Sequence, residues 1–115
     1  MKILIVDDSN FMRVTIKRIL LDISQNEIYE AINEDDAIEK FNEINPEIVF
    51  LDIMMKKGDG GITALKKMKE INPNVKIVIV TALNKDNVLV TKALSEGANG
   101  VIKKPFSKED LLLYL

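Results

Sequence analysis

Asp7 and Asp8 side by side, Asp52, Thr81 and Lys104 followed by Pro105 are the residue types needed to handle a phosphoryl group, and each closes a short apolar run. KILIV leads into the Asp pair, IVFL into Asp52, VKIVIV into Thr81 and GVIK into Lys104. Carboxylates crowded together are costly unless protonated or neutralised. A hard divalent cation with oxygen ligands resolves that conflict, and Mg²⁺, which keeps several waters, suits a site of few carboxylates. Asp52 follows a buried run, so a rigid element holds it. A carboxylate held in this way can attack phosphorus and form an aspartyl phosphate. The dianionic product calls for positive charge on two sides, the metal on one and Lys104 on the other, with the Thr81 hydroxyl as a further donor. Pro105 predicts a fixed turn, in which a cis bond is allowed, that aims the ammonium. Taken singly the residues say less: an acid at a strand end also serves as a solvated cap, and a strand-end Thr also caps the next helix.

What brings them together is the class of element they follow. An apolar run of four to six residues closed by a turn reads as a buried parallel strand. In an open parallel α/β sheet, ligands bind beyond the carboxyl ends of the strands. Strands are predicted at Lys2–Val6, Glu27–Ile32, Ile48–Leu51, Val75–Val80 and Val101–Lys103, the second of mixed character that suits a sheet edge. The first helix, Ser9–Asp22, takes Ser9 as N-cap and turns Met12, Ile16, Ile19, Leu20 and Ile23 inward. The second, Glu34–Glu43, turns Ala37, Ile38, Phe41 and Ile44 inward and is stopped by Pro46. After the loop KKGDGG a third runs over Gly61–Ile71 with Leu65 and Met68 inward. A fourth covers Asp86–Glu96, closed by Gly97. Ser107-Lys108-Glu109-Asp110 reads as a capping box opening a last helix, which stops at Leu115 in the middle of an apolar stripe. That stop suits either a truncated chain or an early end. Five βα units predict an α/β, doubly wound fold.

Composition removes other classes. The 115 residues fit one domain, residues 1–115, large enough to bury a core without staples. With 16 basic residues against 18 acidic ones, the chain lacks the basic face that nucleic acid needs. No apolar run approaches a membrane span, and MKILIVDD is no signal peptide. The absence of Cys points to the cytoplasm. The absence of His means that any phosphohistidine involved belongs to a partner.

Over essentially its whole length the chain resembles the receiver domains of two-component response regulators. The resemblance is carried by ILIVDDS at 3–9, VFLDIMM at 49–55, Asp59-Gly60, VTAL at 80–83 and GANGVIKKPF at 97–106. Each piece is weak alone; five in order are specific. The segment DDSNFMR further resembles the chemotaxis-type, single-domain branch. The resemblance implies strand order 2-1-3-4-5. It implies that Asp52 accepts a phosphoryl group from a histidine kinase or phosphotransfer protein. Asp8 and Asp52 would bind Mg²⁺ directly, Asp7 through water, with the backbone carbonyl of Met54 completing the protein ligands. Thr81 and Lys104 would grip the phosphoryl oxygens. Movement of Thr81 would reshape a face built from the fourth helix, fifth strand and fifth helix, which a downstream protein reads. Such a chain is a signalling phosphoacceptor rather than a turnover enzyme.

Two departures stand out. Lys56 occupies a position where the family usually has Pro, and Val101 stands at its aromatic switch position. Val lacks the payload of a Tyr ring, so the aromatic readout is not expected to transfer, while the phosphorylation chemistry is. Met54 and Leu83, at positions that flank the path of a hydrolytic water in the family, are both apolar. The competing readings are a receiver-like binding module that is never phosphorylated, the receiver part of a longer regulator, and a phosphohydrolase of the haloacid type. The last wants Asp-x-Asp after the first strand, whereas here the pair is adjacent and followed by Ser9.

Overall fold

Branched apolar side chains make the strands, and their alternation decides which helices cover which face. The computed structural model of the chain describes residues 1–56 and 60–115. β1 (Lys2–Val6), β2 (Glu27–Ala31), β3 (Ile48–Leu51), β4 (Lys76–Thr81) and β5 (Gly100–Lys103) form one parallel sheet in the order β2-β1-β3-β4-β5. Successive residues of a strand point to opposite faces. Ile3 and Ile5 of β1, Phe50 of β3, and Val78 and Val80 of β4 therefore join one core with Ile16 and Leu20 of α1 (Asn10–Ile23) and Leu111 of α5 (Lys108–Leu112). Leu4, Val6, Val49, Leu51, Ile77 and Ile79 face the other way. There they meet Phe41 of α2 (Glu34–Ile44), Leu65 and Met68 of α3 (Gly60–Ile71), and Val90 of α4 (Val88–Ser95). Both faces are covered, as an all-parallel sheet requires. The doubly wound class and the strand order both match the expectation. Truncating a ring buried as fully as Phe41 to Ala costs ~3–5 kcal/mol.

Helix ends follow local chemistry. Ser9 caps α1 by accepting the Met12 N–H at 3.2 Å. The Ser107–Asp110 capping box opens α5 as expected. Asn33 caps α2, and Asn45 closes it in the left-handed region at φ 48°. Where the sequence predicts α4 from Asp86, it starts at Val88, because the Asn87 side chain accepts the Leu89 N–H at 2.9 Å and takes the cap. That helix also ends one residue early, at Ser95, with Gly97 at φ 107° beyond it. β2 stops at Ala31, and Lys40 covers this edge strand by donating from Nζ to the Glu30 carbonyl. β4 is shifted by one residue, so Thr81 is its last member rather than the residue after it.

Two glycines permit close approach. A Cβ on Gly61 would lie 2.3 Å from Cα of Ile53 and 2.6 Å from the carbonyl oxygen of Asp52, so α3 rests on bare backbone. A Cβ on Gly100 would lie 2.2 Å from the Tyr114 ring, which lies over the start of β5. Lys76 Nζ donates to the Tyr114 carbonyl at 2.9 Å, tying the chain after α5 to β4.

Candidate functional site

Register brings the acids together. Val6 pairs with Leu51, so Asp7 and Asp52, the next residue along each chain, leave the sheet side by side. Each has its backbone pinned: the Asp7 N–H donates to the Ala31 carbonyl at 3.1 Å, and the Asp52 N–H to the Val6 carbonyl at 2.9 Å. Both side chains are buried, while Asp8 is more open to solvent. One carboxylate oxygen from each of Asp7, Asp8 and Asp52 lies within 4.8 Å of the other two.

Each acid has its own donors. Asp7 Oδ1 accepts the Ser9 N–H at 2.9 Å and Oδ2 accepts from Lys104 Nζ at 3.3 Å. Asp52 Oδ1 accepts the Met54 N–H at 2.9 Å, and Oδ2 stands 3.6 Å from the same ammonium. Asp8 Oδ2 accepts the Lys56 N–H at 3.1 Å. Burial pushes the Asp52 carboxyl above the ordinary carboxylate range; the Met54 N–H and the Lys104 ammonium pull it back, and Asp7 and Asp8 push it further up. Among the described residues one ammonium, Lys104, is paired with two members of an all-oxygen set of three carboxylates, a donor chemistry and charge excess that fit a hard divalent cation.

Lys104 reaches the acids from the end of β5, and its peptide bond to Pro105 is cis. Its backbone N–H donates to the Thr81 carbonyl at 2.8 Å, which locks the ends of β4 and β5 together. Thr81 is fully buried, and Oγ1 accepts the Leu83 N–H at 3.2 Å. It therefore braces a turn and does not cap α4, whose cap is Asn87. Beyond Thr81, Lys103 Nζ donates to Asn84 Oδ1 and tethers the same loop to β5. At the mouth, Met54 is 54% exposed and Leu83 half-buried. Lys56 lines a cavity of about 240 Å³ with Asp8, Asn33 and Met55.

The structure therefore gathers Asp7, Asp8, Asp52 and Lys104, and sets Thr81 at the adjacent strand end. Asp59 lies outside the described residues. Sequence reasoning overlooked two contributors. The Lys56 backbone donor to Asp8 carries no residue-type signature. Arg13, whose Nη1 donates to the Asp7 carbonyl at 2.8 Å, likewise left none, since a charged residue near a helix start is ordinary and its strand partner is distant in sequence.

Comparison with known proteins identifies the family. A family model described as the response regulator receiver domain matches residues 3–115. The chain is 40% identical over 111 residues to the chemotaxis protein CheY of Bacillus subtilis, covering 96% of this chain and 91% of that one. It is 39% identical over 105 residues to the chemotaxis protein CheY of Thermotoga maritima, covering 91% and 86%. Among solved structures, the CheX–CheY–BeF₃–Mg²⁺ complex from Borrelia burgdorferi is similar with a TM-score of 0.88 and 34% identity, over 99% of this chain and 85% of that one.

Proposed function

The chain belongs to the response regulator receiver domain family and is a phosphoacceptor of two-component signalling, and on that premise we propose that Asp52 is the acceptor. The observation that carries this is the division of labour in its carboxylate. Oδ1 is held by the Met54 N–H, which leaves Oδ2 turned toward Lys104. Oδ2 attacks the phosphorus of a partner's phosphohistidine; an O–P bond forms, the P–N bond breaks, and the imidazole leaves. Lys104, shared by Asp7 and Asp52 at 3.3 and 3.6 Å, turns its donors to the phosphoryl oxygens. The Thr81 oxygen already accepts the Leu83 N–H, so its own proton serves a phosphoryl oxygen.

Mg²⁺ is the cofactor that the three carboxylates fit; Asp8, Asp52 and the Met54 carbonyl would hold it directly and Asp7 through water, and bound there it would neutralise charge on the transferred group. The presence of Mg²⁺ in the Borrelia burgdorferi CheX–CheY complex supports that choice. The donor is a histidine kinase or phosphotransfer protein, since this chain has no His. Reorientation of Thr81 reaches α4, β5 and α5 through the loop that Lys103 and Asn84 tether, and a downstream protein reads that face. The chain works as a single receiver unit over 1–115 and carries a signal rather than turning over a substrate. Among the described residues no helix is long and apolar enough to cross a membrane, and the lack of Cys suits the cytoplasm.

Incubation with Mg²⁺ and a small acyl phosphate, read by intact mass, tests this reading. One stable phosphoryl adduct is expected. No labelling would leave a pure binding module, and rapid release of inorganic phosphate would indicate a hydrolase.

A further inference from the structure

Arg13 makes three contacts around the turn that carries the acids. From the first turn of α1, with its side chain only 12% exposed, it spreads all three guanidinium nitrogens. Nη1 donates to the Asp7 carbonyl at 2.8 Å, Nε to Glu30 Oε1 at 3.1 Å, and Nη2 to Asn10 Oδ1 at 3.2 Å. Glu30 lies on β2 and takes a second cation, Lys17, at 3.7 Å. Glu30 is thus the fixed end of the arrangement and the Asp7 carbonyl the end that is held. The Asp7 N–H is meanwhile bound to the Ala31 carbonyl, next to Glu30 on the same strand.

The Asp7 carbonyl belongs to the peptide plane that joins Asp7 to Asp8. With this plane fixed by Arg13, the Asp8 Cα is fixed in place and its Cβ is confined to a cone about the N–Cα bond. Asp8 needs that help, because its carboxylate is the most exposed of the three and among the described residues its one protein donor is the Lys56 N–H. We propose that Arg13, anchored by Glu30, is a positioning residue for the Mg²⁺ site that acts through the Asp7–Asp8 peptide to aim the Asp8 carboxylate.

The proposal rests on the reading of Asp8 as a metal ligand, and it predicts an effect opposite in sign to simple electrostatics. A guanidinium beside a cation site repels the cation, so by Coulomb's law alone its removal would tighten Mg²⁺ binding. Loss of positioning weakens it instead. Outer partners of metal ligands are typically worth ~10–100-fold in affinity, and the lower end fits a contact made through backbone.

The test uses the full chain with MgCl₂ and a small acyl phosphate. Arg13→Ala is expected to raise the dissociation constant for Mg²⁺, measured by calorimetry, by about tenfold, and that loss should persist at high salt, where through-space effects are screened. The half-saturating Mg²⁺ for phosphorylation should rise by the same factor, while the rate at saturating Mg²⁺ stays within about twofold. Arg13→Lys keeps the charge but not the fork, so it should recover only part of the affinity, and it carries the test if Arg13→Ala does not fold. Unchanged or tighter Mg²⁺ binding in the variants overturns the proposal, as does a loss confined to low salt or a fall in the saturated rate without a shift in half-saturation. Asp8→Ala measured alongside separates the two levels: if it binds Mg²⁺ as the parent does, the ligand assignment fails, whatever Arg13 does.

Discussion

The acid edge of the sheet and the face formed by α4, β5 and α5 are built to different tolerances. At the acid edge, β3 is buried at every residue and β1 at every residue but its first. Asp7 and Asp52 each have backbone and side chain bound, and among the described residues no buried side-chain polar atom lacks a partner. On the other face β5 has one buried residue, Ile102, and α5 is five residues long. Val88 is 80% and Leu113 79% exposed, and cavities of about 270 and 220 Å³ lie beside Val101 and Tyr114. Chemistry that depends on sub-ångström placement sits where Asp7 and Asp52 are each held from several sides. The face proposed to change shape sits where packing leaves room, since local opening is cheapest where buried contacts are few. Val101 fits this picture: beside it the ring of Tyr114, from after α5, lies on the backbone of Gly100.

If the acid edge is the rigid half, its substitutions should alter chemistry and leave the fold intact. Asp52→Asn is expected to abolish phosphoryl incorporation, read by intact mass after acyl-phosphate treatment, because an amide oxygen is a poor nucleophile. Unchanged labelling would sink the assignment. The same variant has a second readout in stability. Folding raises the Asp52 pKa, chiefly through burial. Such a group favours the fold fully below its unfolded pKa and loses that contribution as pH rises through the folded value. Metal-free Asp52→Asn should therefore melt higher than the parent at neutral pH, with the gain fading as pH falls below the carboxylate range. An equal gain at acid pH would show that some other effect of the amide is responsible.

Within the edge, the three acids should rank. Asp8→Ala is expected to weaken Mg²⁺ binding by at least about tenfold more than Asp7→Ala, because loss of a direct ligand costs more than loss of one that acts through water. Calorimetric titration decides it, and a reversed order would exchange their roles.

The mouth is where the two regions meet, and its effects should be intermediate. Met54 and Leu83 give a hydrolytic water no polar group to hold, so the aspartyl phosphate should be long-lived. Met54→Asn combined with Leu83→Glu should shorten its lifetime by about tenfold, a modest share of what general base catalysis can provide. A phosphate-release time course measures it; a double variant no faster than the parent would mean that other features set the lifetime.

The smallest effect belongs to Lys56. If its ammonium acts at the mouth, Lys56→Met should tighten Mg²⁺ binding by about twofold at low salt and slow phosphorylation by anionic donors, both fading as salt rises. Lys56→Pro is a different experiment, because it also removes the backbone N–H that donates to Asp8 Oδ2 at 3.1 Å. That variant should weaken Mg²⁺ binding. Both variants matching the parent would mark Lys56 as a solvated loop residue.

The boundaries of β1 and β3 could be read from the sequence to the residue, because an apolar run there gives way abruptly to carboxylates. The start of α4 could not, since Asp86 and Asn87 are both competent caps and only the folded loop selects Asn87. The left-handed closure at Asn45 was overshadowed by Pro46, the stronger stop signal beside it. The clustering of Asp7, Asp8 and Asp52 with Lys104 was legible because parallel strands place their ends together. Arg13 was not, since its partner Glu30 is 17 residues away on another strand. The Lys56 N–H spans 48 residues to reach Asp8, and every residue but Pro carries such a donor.

The contact at Gly61 also limits how the chain can drift. An added methyl there would overlap the Cα of Ile53, and backbone cannot swing aside as a side chain would. In a library with every position randomised and selected for phosphorylation, position 61 should return only glycine, although it touches no phosphoryl oxygen. Leu112, 44% exposed on α5, should return a broad spectrum under the same selection. The place of Asp52 in the molecule is thus guarded by a residue with no chemistry of its own, and a mutational map would count it among the functional ones.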